Sequence, residues 1–342
     1  MNLLVQAIRG IGLSMWNPLK YIGNRKVGLA LGSGGAKGLS HIAVIDYLGT
    51  MEIPIDMIAG SSIGAIIGAL YVYGSMEKFK QDMLRFSLRD LLSFMDPVVP
   101  RSGLIEGKGF VRFMGRYIPR DARIEDLNIP LAVLATDFFS GVSVVFRDGN
   151  LLEALRASVS IPGVLVPVRH GDSLLVDGGV ANPLPVNIVR GMGAGITIAV
   201  NLHPRLKKRG LRHYVETPVA ATAGGGKLTG TGKSGGALIT DKQAAGTAGW
   251  IRAMEQWLRP EGRKRERDMP NIFEVMAGSV DIMEYVNTAL LLKYNSPTVL
   301  IEPDVTDVDT LDFMDAERIF ELGHSACSRA RRTLLRKVAA WV

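Results

Sequence analysis

The sequence predicts an α/β fold built on a mostly parallel sheet, and three observations lead to this prediction. Two short apolar runs, residues 26–31 and 55–59, each lead into a glycine-containing turn and then into an apolar helical pattern. Further apolar runs of strand length follow at residues 130–136, 142–146, 173–176, 196–200 and 298–301. A chain that opens as strand, helix, strand, helix is expected to form a parallel sheet with helices on its faces.

The composition fits a protein with a large core in a reducing compartment. The 342 residues are 47% hydrophobic, which is enough for one large domain or two small ones. Cys327 is the only cysteine, so the chain forms no intrachain disulfide and offers no cysteine-based metal site. Arg9 interrupts the first apolar residues, which argues against a signal peptide and favours the cytoplasm. Residues 57–76 carry no charge, but their glycines, serines and tyrosines favour a buried helix over a membrane span.

The positive charge is concentrated in one segment. The chain carries a net charge of +7, whereas residues 205–268 alone hold 14 basic and 6 acidic residues, a net charge of +8. The segment is also rich in Gly, Ala and Thr, so residues 205–269 are predicted to be a flexible basic insertion. A solvated surface is the default interpretation of its charges, and its tryptophans make contact with anionic lipid the alternative. Without a recognised binding module we expect no nucleic-acid binding.

The expected organisation follows from these patterns. Residues 1–25 form an amphipathic segment that either lies on a membrane or docks on the domain. Residues 26–335 form the main domain around the insertion, and residues 336–342 are a C-terminal tail.

The turn after the second strand carries the pattern of a nucleophile elbow. Residues 60–64 read Gly-Ser-Ser-Ile-Gly, a G-x-S-x-G motif between a strand and a helix. Gly60 and Gly64 are expected where backbone approaches backbone too closely for a Cβ. Ser62 would lie at a helix N-terminus and is the predicted nucleophile. A second match at residues 232–236 lacks a strand before it and a helix after it, so it is assigned to the linker.

The turn after the first strand is predicted to bind an anion. Residues 32–38 read GSGGAKG and lead into a helical pattern, so their backbone N–H groups can surround a negative charge. The dinucleotide fingerprint G-x-G-x-x-G fails here in every register, which argues against a nucleotide cofactor.

The proton acceptor is less clear from residue patterns alone. Asp177 follows a predicted strand and precedes two glycines, so it should lie at the carboxyl edge of the sheet, where open α/β sheets place their sites. A serine nucleophile more often uses a histidine, and five are present: His41, His170, His203, His213 and His324.

These motifs together resemble the bacterial patatin-like phospholipases and the catalytic domain of neuropathy target esterase. The resemblance covers roughly residues 26–203 and 270–330. It rests on residues 29–48, 59–71, 135–137, 156–168 and 176–186, which include the glycine loop, the G-x-S-x-G elbow and the Asp-Gly-Gly motif.

The resemblance implies a three-layer α/β/α fold and a serine lipid acyl hydrolase without a cofactor or a metal. Ser62 is similar to the family's nucleophile and Asp177 to the base of its Ser–Asp dyad. The N–H groups of Gly34 and Gly35 resemble the oxyanion hole, in a loop that continues through Lys37 and Gly38. The chain has Ser33 where the family usually has glycine, and Lys37 where it often has arginine, which loses the bidentate fork.

The resemblance also implies a phospholipid or lysophospholipid substrate and a cytoplasmic enzyme in peripheral contact with the membrane. Two alternatives stay open. One is a Ser-His-Asp esterase of the α/β-hydrolase type that uses His203 or His324, and the other is an inactive patatin-like scaffold that binds a regulatory partner.

Overall fold

The sheet at the centre of the molecule contains eight strands among the residues that the structure describes. The computed structural model describes residues 25–93, 96, 105–204 and 272–339. The strands are β1 (Val27–Leu31), β2 (Met57–Ser61), β3 (Leu131–Asp137), β4 (Ser143–Phe146), β5 (Val168–His170), β6 (Ser173–Asp177), β7 (Ile196–Val200) and β8 (Val299–Ile301). Two predicted segments lie outside the described residues. They are the amphipathic segment 1–25, of which only the last residue is described, and the basic insertion 205–269.

Helices connect and cover these strands. The α-helices are α1 (Ser40–Thr50), α2 (Ile63–Tyr73), α3 (Met76–Leu84), α4 (Leu88–Ser93), α5 (Lys108–Met114), α6 (Leu151–Ser158), α7 (Val186–Gly191), α8 (Ile272–Tyr294) and α9 (Ala316–Ala339). Within the described ranges, three short 3-10 helices, Gly35–Leu39, Ile124–Asp126 and Gly178–Val180, lie in the connections.

The sheet is mostly parallel, as predicted, with an antiparallel part at one side. Its order is β5-β6-β3-β2-β1-β7-β8, and β4 pairs with β3 outside this path. The five strands β3, β2, β1, β7 and β8 pair in parallel. The pairs β3–β4, β3–β6 and β5–β6 are antiparallel.

Strands β2 and β6 share one edge of β3, and this arrangement places the site. Residues 131–134 of β3 pair with β2, and residues 135–137 pair with β6. Strand β4 pairs with residues 133–136 of β3, some of which also pair with β2 and some with β6. Strand β4 must therefore lie along the other edge of β3. Since Ser61 pairs with Leu134 and Asp177 with Ala135, the carboxyl ends of β2 and β6 meet head to head.

Side chains of the sheet alternate between two separate cores, which makes the fold three-layered. Val27, Leu29 and Leu31 of β1 point into the larger core, which contains residues of α1, α2, α3 and α9. Ala30 points to the opposite face, toward residues of α7. On that face a Cβ added to Gly28 would lie 2.1 Å from Val189, so the missing side chain lets α7 approach the sheet closely.

The elements differ from the sequence prediction in two places. Strand β5 lies in a stretch for which the sequence pattern predicts no strand. The predicted tail at residues 336–342 is wrong for its first residues, because α9 continues to Ala339 and Val338 is buried in the larger core. The uncharged run 57–76 is a buried strand and helix, as expected. Residues Val275–Tyr294 of α8 are, by length and composition alone, long and apolar enough to cross a membrane.

Candidate active site

Ser62 occupies a strained turn between β2 and α2. Its backbone has φ 54° and ψ −122°, a conformation that L-residues rarely adopt. A Cβ on Gly60 would lie 2.5 Å from the backbone of Gly64, and a Cβ on Gly64 would lie 2.3 Å from the Leu31 carbonyl oxygen. The predicted reason for both glycines is therefore confirmed: the turn is too tight for side chains at these positions.

Two hydrogen bonds hold Ser62, which is 5% exposed. Its hydroxyl donates to Oδ2 of Asp177 over 2.6 Å. Its backbone N–H donates to the hydroxyl of Ser158 over 2.9 Å. The side chain is thus aimed at a carboxylate, and α6, which carries Ser158, supports the strained peptide.

Asp177 is fixed at three points and is 3% exposed. Its N–H donates to the carbonyl of Ser160 over 2.9 Å, and its own carbonyl accepts a hydrogen bond of 2.9 Å from the Thr136 hydroxyl. Its Oδ1 accepts the N–H of Gly179 over 2.7 Å, which leaves Oδ2 for Ser62. Asp177 lies at the carboxyl end of β6, which runs antiparallel to β3 and therefore reaches Ser62 from the opposite direction to β2.

The surroundings of Asp177 make it a stronger base than an ordinary carboxylate. Burial, together with the charge of Glu284, raises the pKa of Asp177 from 3.8 to about 7. The hydrogen bonds from Ser62 and Gly179 act in the opposite direction. The carboxylate therefore changes its protonation state near neutral pH, the range in which a general base works best.

The glycine loop after β1 presents unpartnered N–H groups. Gly34 has φ 148° and Gly35 has φ 56°, which glycine adopts most readily. Within the described part of the chain, the N–H groups of Gly34 and Gly35 make no hydrogen bond, whereas those of Ser33 and Ala36 bond to Pro183 and Thr310. Ser33 has no positive φ, so the serine at this position leaves the loop backbone unstrained.

This loop lies directly against the elbow. A Cβ on Gly38 would meet the Ile63 side chain at 2.2 Å, and a Cβ on Gly64 would lie 2.8 Å from the carbonyl oxygen of Gly32. The two strand-to-helix turns therefore pack backbone against backbone, which places the N–H groups of the loop on the same sheet edge as Ser62.

Lys37 belongs to a buried ion network beside the loop. Its ammonium lies 3.1 Å from Oδ1 of Asp281 on α8. His203, which follows β7, places Nε2 3.0 Å from Oε2 of Glu284 and 3.6 Å from Oδ1 of Asp281, although its N–H does not point at either oxygen. Lys37 was predicted as part of the anion loop, but its charge is paired with a carboxylate of the protein.

The electrostatics of the network favour charged side chains. Burial alone would lower the pKa of His203, but the carboxylates of Glu284 and Asp281 outweigh it and raise that pKa. Burial likewise opposes ionisation of Asp281, yet His203 and Lys37 lower its pKa to about 2. The network thus places two basic side chains, Lys37 and His203, beside two carboxyl groups, those of Asp281 and Glu284.

The same residues have the spacing of a metal site, which the sequence had not suggested. Ligand atoms of His203, Asp281 and Glu284 lie within 4.8 Å of one another. The ammonium of Lys37 already neutralises Asp281, so we assign these residues to an ion network and not to a set of metal ligands.

The histidines that the structure describes have other roles than pairing with Ser62. His41 is fully buried, donates from Nε2 to the Gly32 carbonyl over 2.8 Å, and has a pKa lowered to about 4 by burial. His170 packs against Phe146, and His324 against Tyr47, in edge-to-face contacts. His213 lies outside the described residues.

A cavity of about 1080 Å³ lies elsewhere, between α5, α6 and β5. Arg156, Arg169 and His170 are among its lining residues, whereas Ser62 and Asp177 are not. Its walls therefore lack the serine–carboxylate pair, and we place the candidate site where the carboxyl ends of β2 and β6 meet.

Sequence reasoning missed the residues that support the pair. Ser158 stands in a stretch that carries the family resemblance, but nothing in its pattern indicates a bond to the Ser62 peptide. Glu284 and Asp281 lie on a long helix with no motif, about a hundred residues beyond Asp177. Their role depends on how α8 packs, which local patterns do not encode.

Comparisons with known proteins agree with the resemblance. A family model described as patatin-like phospholipase matches residues 29–190. A Mycobacterium tuberculosis protein described as an uncharacterised NTE family protein is 31% identical over 328 residues, which cover 89% of this chain and 91% of the relative. Human patatin-like phospholipase domain-containing protein 6 is 36% identical over 182 residues, 52% of this chain and 13% of that protein. Lysophospholipase NTE1 of Kluyveromyces lactis is 29% identical over 312 residues, 89% of this chain and 19% of that protein.

Proposed function

The chain belongs to the NTE family of patatin-like phospholipases, and we propose that it hydrolyses acyl esters of phospholipids or lysophospholipids through Ser62 and Asp177. The observation that carries the proposal is the 2.6 Å hydrogen bond from the Ser62 hydroxyl to a buried carboxylate. Among the described histidines, none makes a hydrogen bond with Ser62, so the Ser–Asp dyad is favoured over a Ser-His-Asp triad.

In the proposed first step, Ser62 Oγ attacks the ester carbonyl carbon and its proton moves to Oδ2 of Asp177. The carbonyl oxygen becomes an oxyanion, for which the N–H groups of Gly34 and Gly35 are the proposed donors. The α2 N-terminus also favours negative charge at this position. When the tetrahedral intermediate collapses, the bond to the alcohol breaks and the leaving oxygen takes the proton from Asp177. The acyl group stays on Ser62.

The second step releases the fatty acid. Asp177, ionised again, takes a proton from a water molecule, and the resulting hydroxide attacks the acyl carbon. The bond to Ser62 Oγ then breaks and the serine takes the proton back. A base with a pKa of about 7 accepts and returns protons near neutral pH, as both steps require.

We also propose that the exposed turn after β3 touches lipid. Phe138 and Phe139 follow β3 beyond the residues that pair with β2, and they are 61% and 70% exposed. Val142, next to them, is exposed as well. Exposed apolar side chains of this kind can enter a membrane surface.

The experiment for the proposed function measures fatty-acid release from mixed phospholipid and lysophospholipid vesicles. We expect release by the wild type and none above background by Ser62→Ala or Asp177→Asn. Replacement of both Phe138 and Phe139 by serine should weaken co-sedimentation with the vesicles and leave hydrolysis of a soluble short-chain ester unchanged. Release by Ser62→Ala at the wild-type rate would disprove the assignment.

A further inference from the structure

Helix α8 places a second buried carboxylate beside Asp177. Glu284 is 5% exposed. Its Oε1 lies so close to Gly179 that a Cβ added to this glycine would be only 2.0 Å away from it. The N–H of Gly179 donates to Oδ1 of Asp177. Glu284 therefore packs against the peptide that orients the base, and together with burial its charge raises the pKa of Asp177.

The charges around Glu284 come from three elements packed together. His203, after β7, faces Glu284 at 3.0 Å, and Lys37, on the 3-10 helix after the glycine loop, faces Asp281 at 3.1 Å. Asp281 and Glu284 stand one turn apart on α8. Glu284 thus has a basic side chain beside it in its buried position, as a buried carboxylate requires.

We propose that Glu284 is a positioning residue that sets the pH range in which Asp177 accepts the proton of Ser62. The proposal rests on the proposed function of Asp177 as the base. Two carboxylates in one buried site cannot both ionise easily, so the charge of Glu284 keeps Asp177 protonated to a higher pH. Without the charge of Glu284, Asp177 would lose its proton at a lower pH and would therefore be a weaker base in each proton transfer.

The test follows the Asp177 carboxyl directly, by NMR titration of the full chain labelled with carbon-13 at the aspartate carboxyls. The signal that disappears in Asp177→Asn identifies the residue. In the wild type it should titrate near pH 7, in line with its pKa of about 7. In Glu284→Gln, which keeps the shape and removes the charge, the midpoint should fall by about one pH unit.

Two variants serve as controls for charge and packing. Glu284→Asp retains the carboxylate, so it should restore a midpoint close to that of the wild type. Glu317→Gln removes an exposed carboxylate in the first turn of α9 and should leave the midpoint unchanged. If Glu284→Gln does not fold because His203 is left unpaired, the double variant His203→Gln, Glu284→Gln removes both charges and should shift the midpoint in the same direction.

The outcomes separate this inference from the proposed function. An Asp177 midpoint in Glu284→Gln equal to that of the wild type, or an equal shift in Glu317→Gln, would overturn the role of Glu284. The titration needs no turnover, so it gives an answer even if the wild type releases no fatty acid, which would count against the proposed function alone. In an active enzyme the acidic limb of the pH–rate profile should move with the NMR midpoint, which a purely structural role would not cause.

Discussion

The parallel and antiparallel parts of the sheet deliver the two proposed reacting groups in different ways. Strand β2, in the parallel part, ends in a strained turn that projects Ser62 from the start of a helix. Strand β6, in the antiparallel part, pairs with β3 along the same edge as β2 but beyond the end of β2, and it carries Asp177 at its carboxyl end. The serine is positioned by local backbone geometry, whereas the aspartate is positioned by pairing with a distant strand.

This difference decides how each group responds to change. The position of Ser62 depends on the absence of side chains at Gly60 and Gly64, so added atoms should damage it most. The position of Asp177 depends on hydrogen bonds with Thr136, Ser160 and Gly179, so removed polar atoms should damage it most.

The largest expected effect comes from a side chain in the elbow. Gly64→Ala would place a Cβ 2.3 Å from the Leu31 carbonyl oxygen, so β1, the elbow or both must move. We expect a loss of about 3–5 kcal/mol in the free energy of unfolding, the upper range for single substitutions, measured by chemical denaturation. Gly49→Ala is the matched control, since a Cβ there meets nothing within 4 Å, and it should stabilise α1 by roughly 0.5–1 kcal/mol. Equal effects of the two substitutions would contradict the close backbone contact.

A smaller effect is expected from the antiparallel part. Thr136→Val keeps the shape of the side chain but removes the hydroxyl that donates to the Asp177 carbonyl and accepts the N–H of Ala181. The buried groups left unpaired should cost about 1–3 kcal/mol of stability, and a shifted Asp177 should slow ester hydrolysis about tenfold. Thr50→Val, on an exposed hydroxyl, should leave hydrolysis unchanged. Full activity in Thr136→Val would show that strand pairing alone positions the aspartate.

The smallest expected effect has the opposite sign. Ser62→Gly removes the strain of a positive φ at a residue with a side chain, so it should raise the free energy of unfolding by about 1 kcal/mol while abolishing hydrolysis. Ser62→Ala keeps the strain and serves as the control, with stability close to that of the wild type. If glycine gives no gain over alanine, the turn stores no strain.

The same comparison explains what the sequence could predict. The parallel part is built from units in which strand, turn and helix follow one another, so its glycines and Ser62 carry local signals. The antiparallel part includes β5, which lies in a stretch without a strand pattern, and the residues before Asp177 carry no signal of the antiparallel direction of β6. Ser158, Glu284 and His203 come together only through packing between segments far apart in the chain, so patterns in neighbouring residues do not reveal them.

The measurement that tests the dyad most directly is the pH dependence of Ser62 labelling by a fluorophosphonate, for the wild type and Asp177→Asn. Labelling of the wild type should rise through a single ionisation near pH 7, where the buried carboxylate with its pKa of about 7 loses its proton. In Asp177→Asn the rate should fall by about 10²–10⁴-fold and that ionisation should disappear. An ionisation that persists in Asp177→Asn, and is lost when His41, His203 or His324 is replaced by glutamine, would contradict the dyad and identify a histidine as the base.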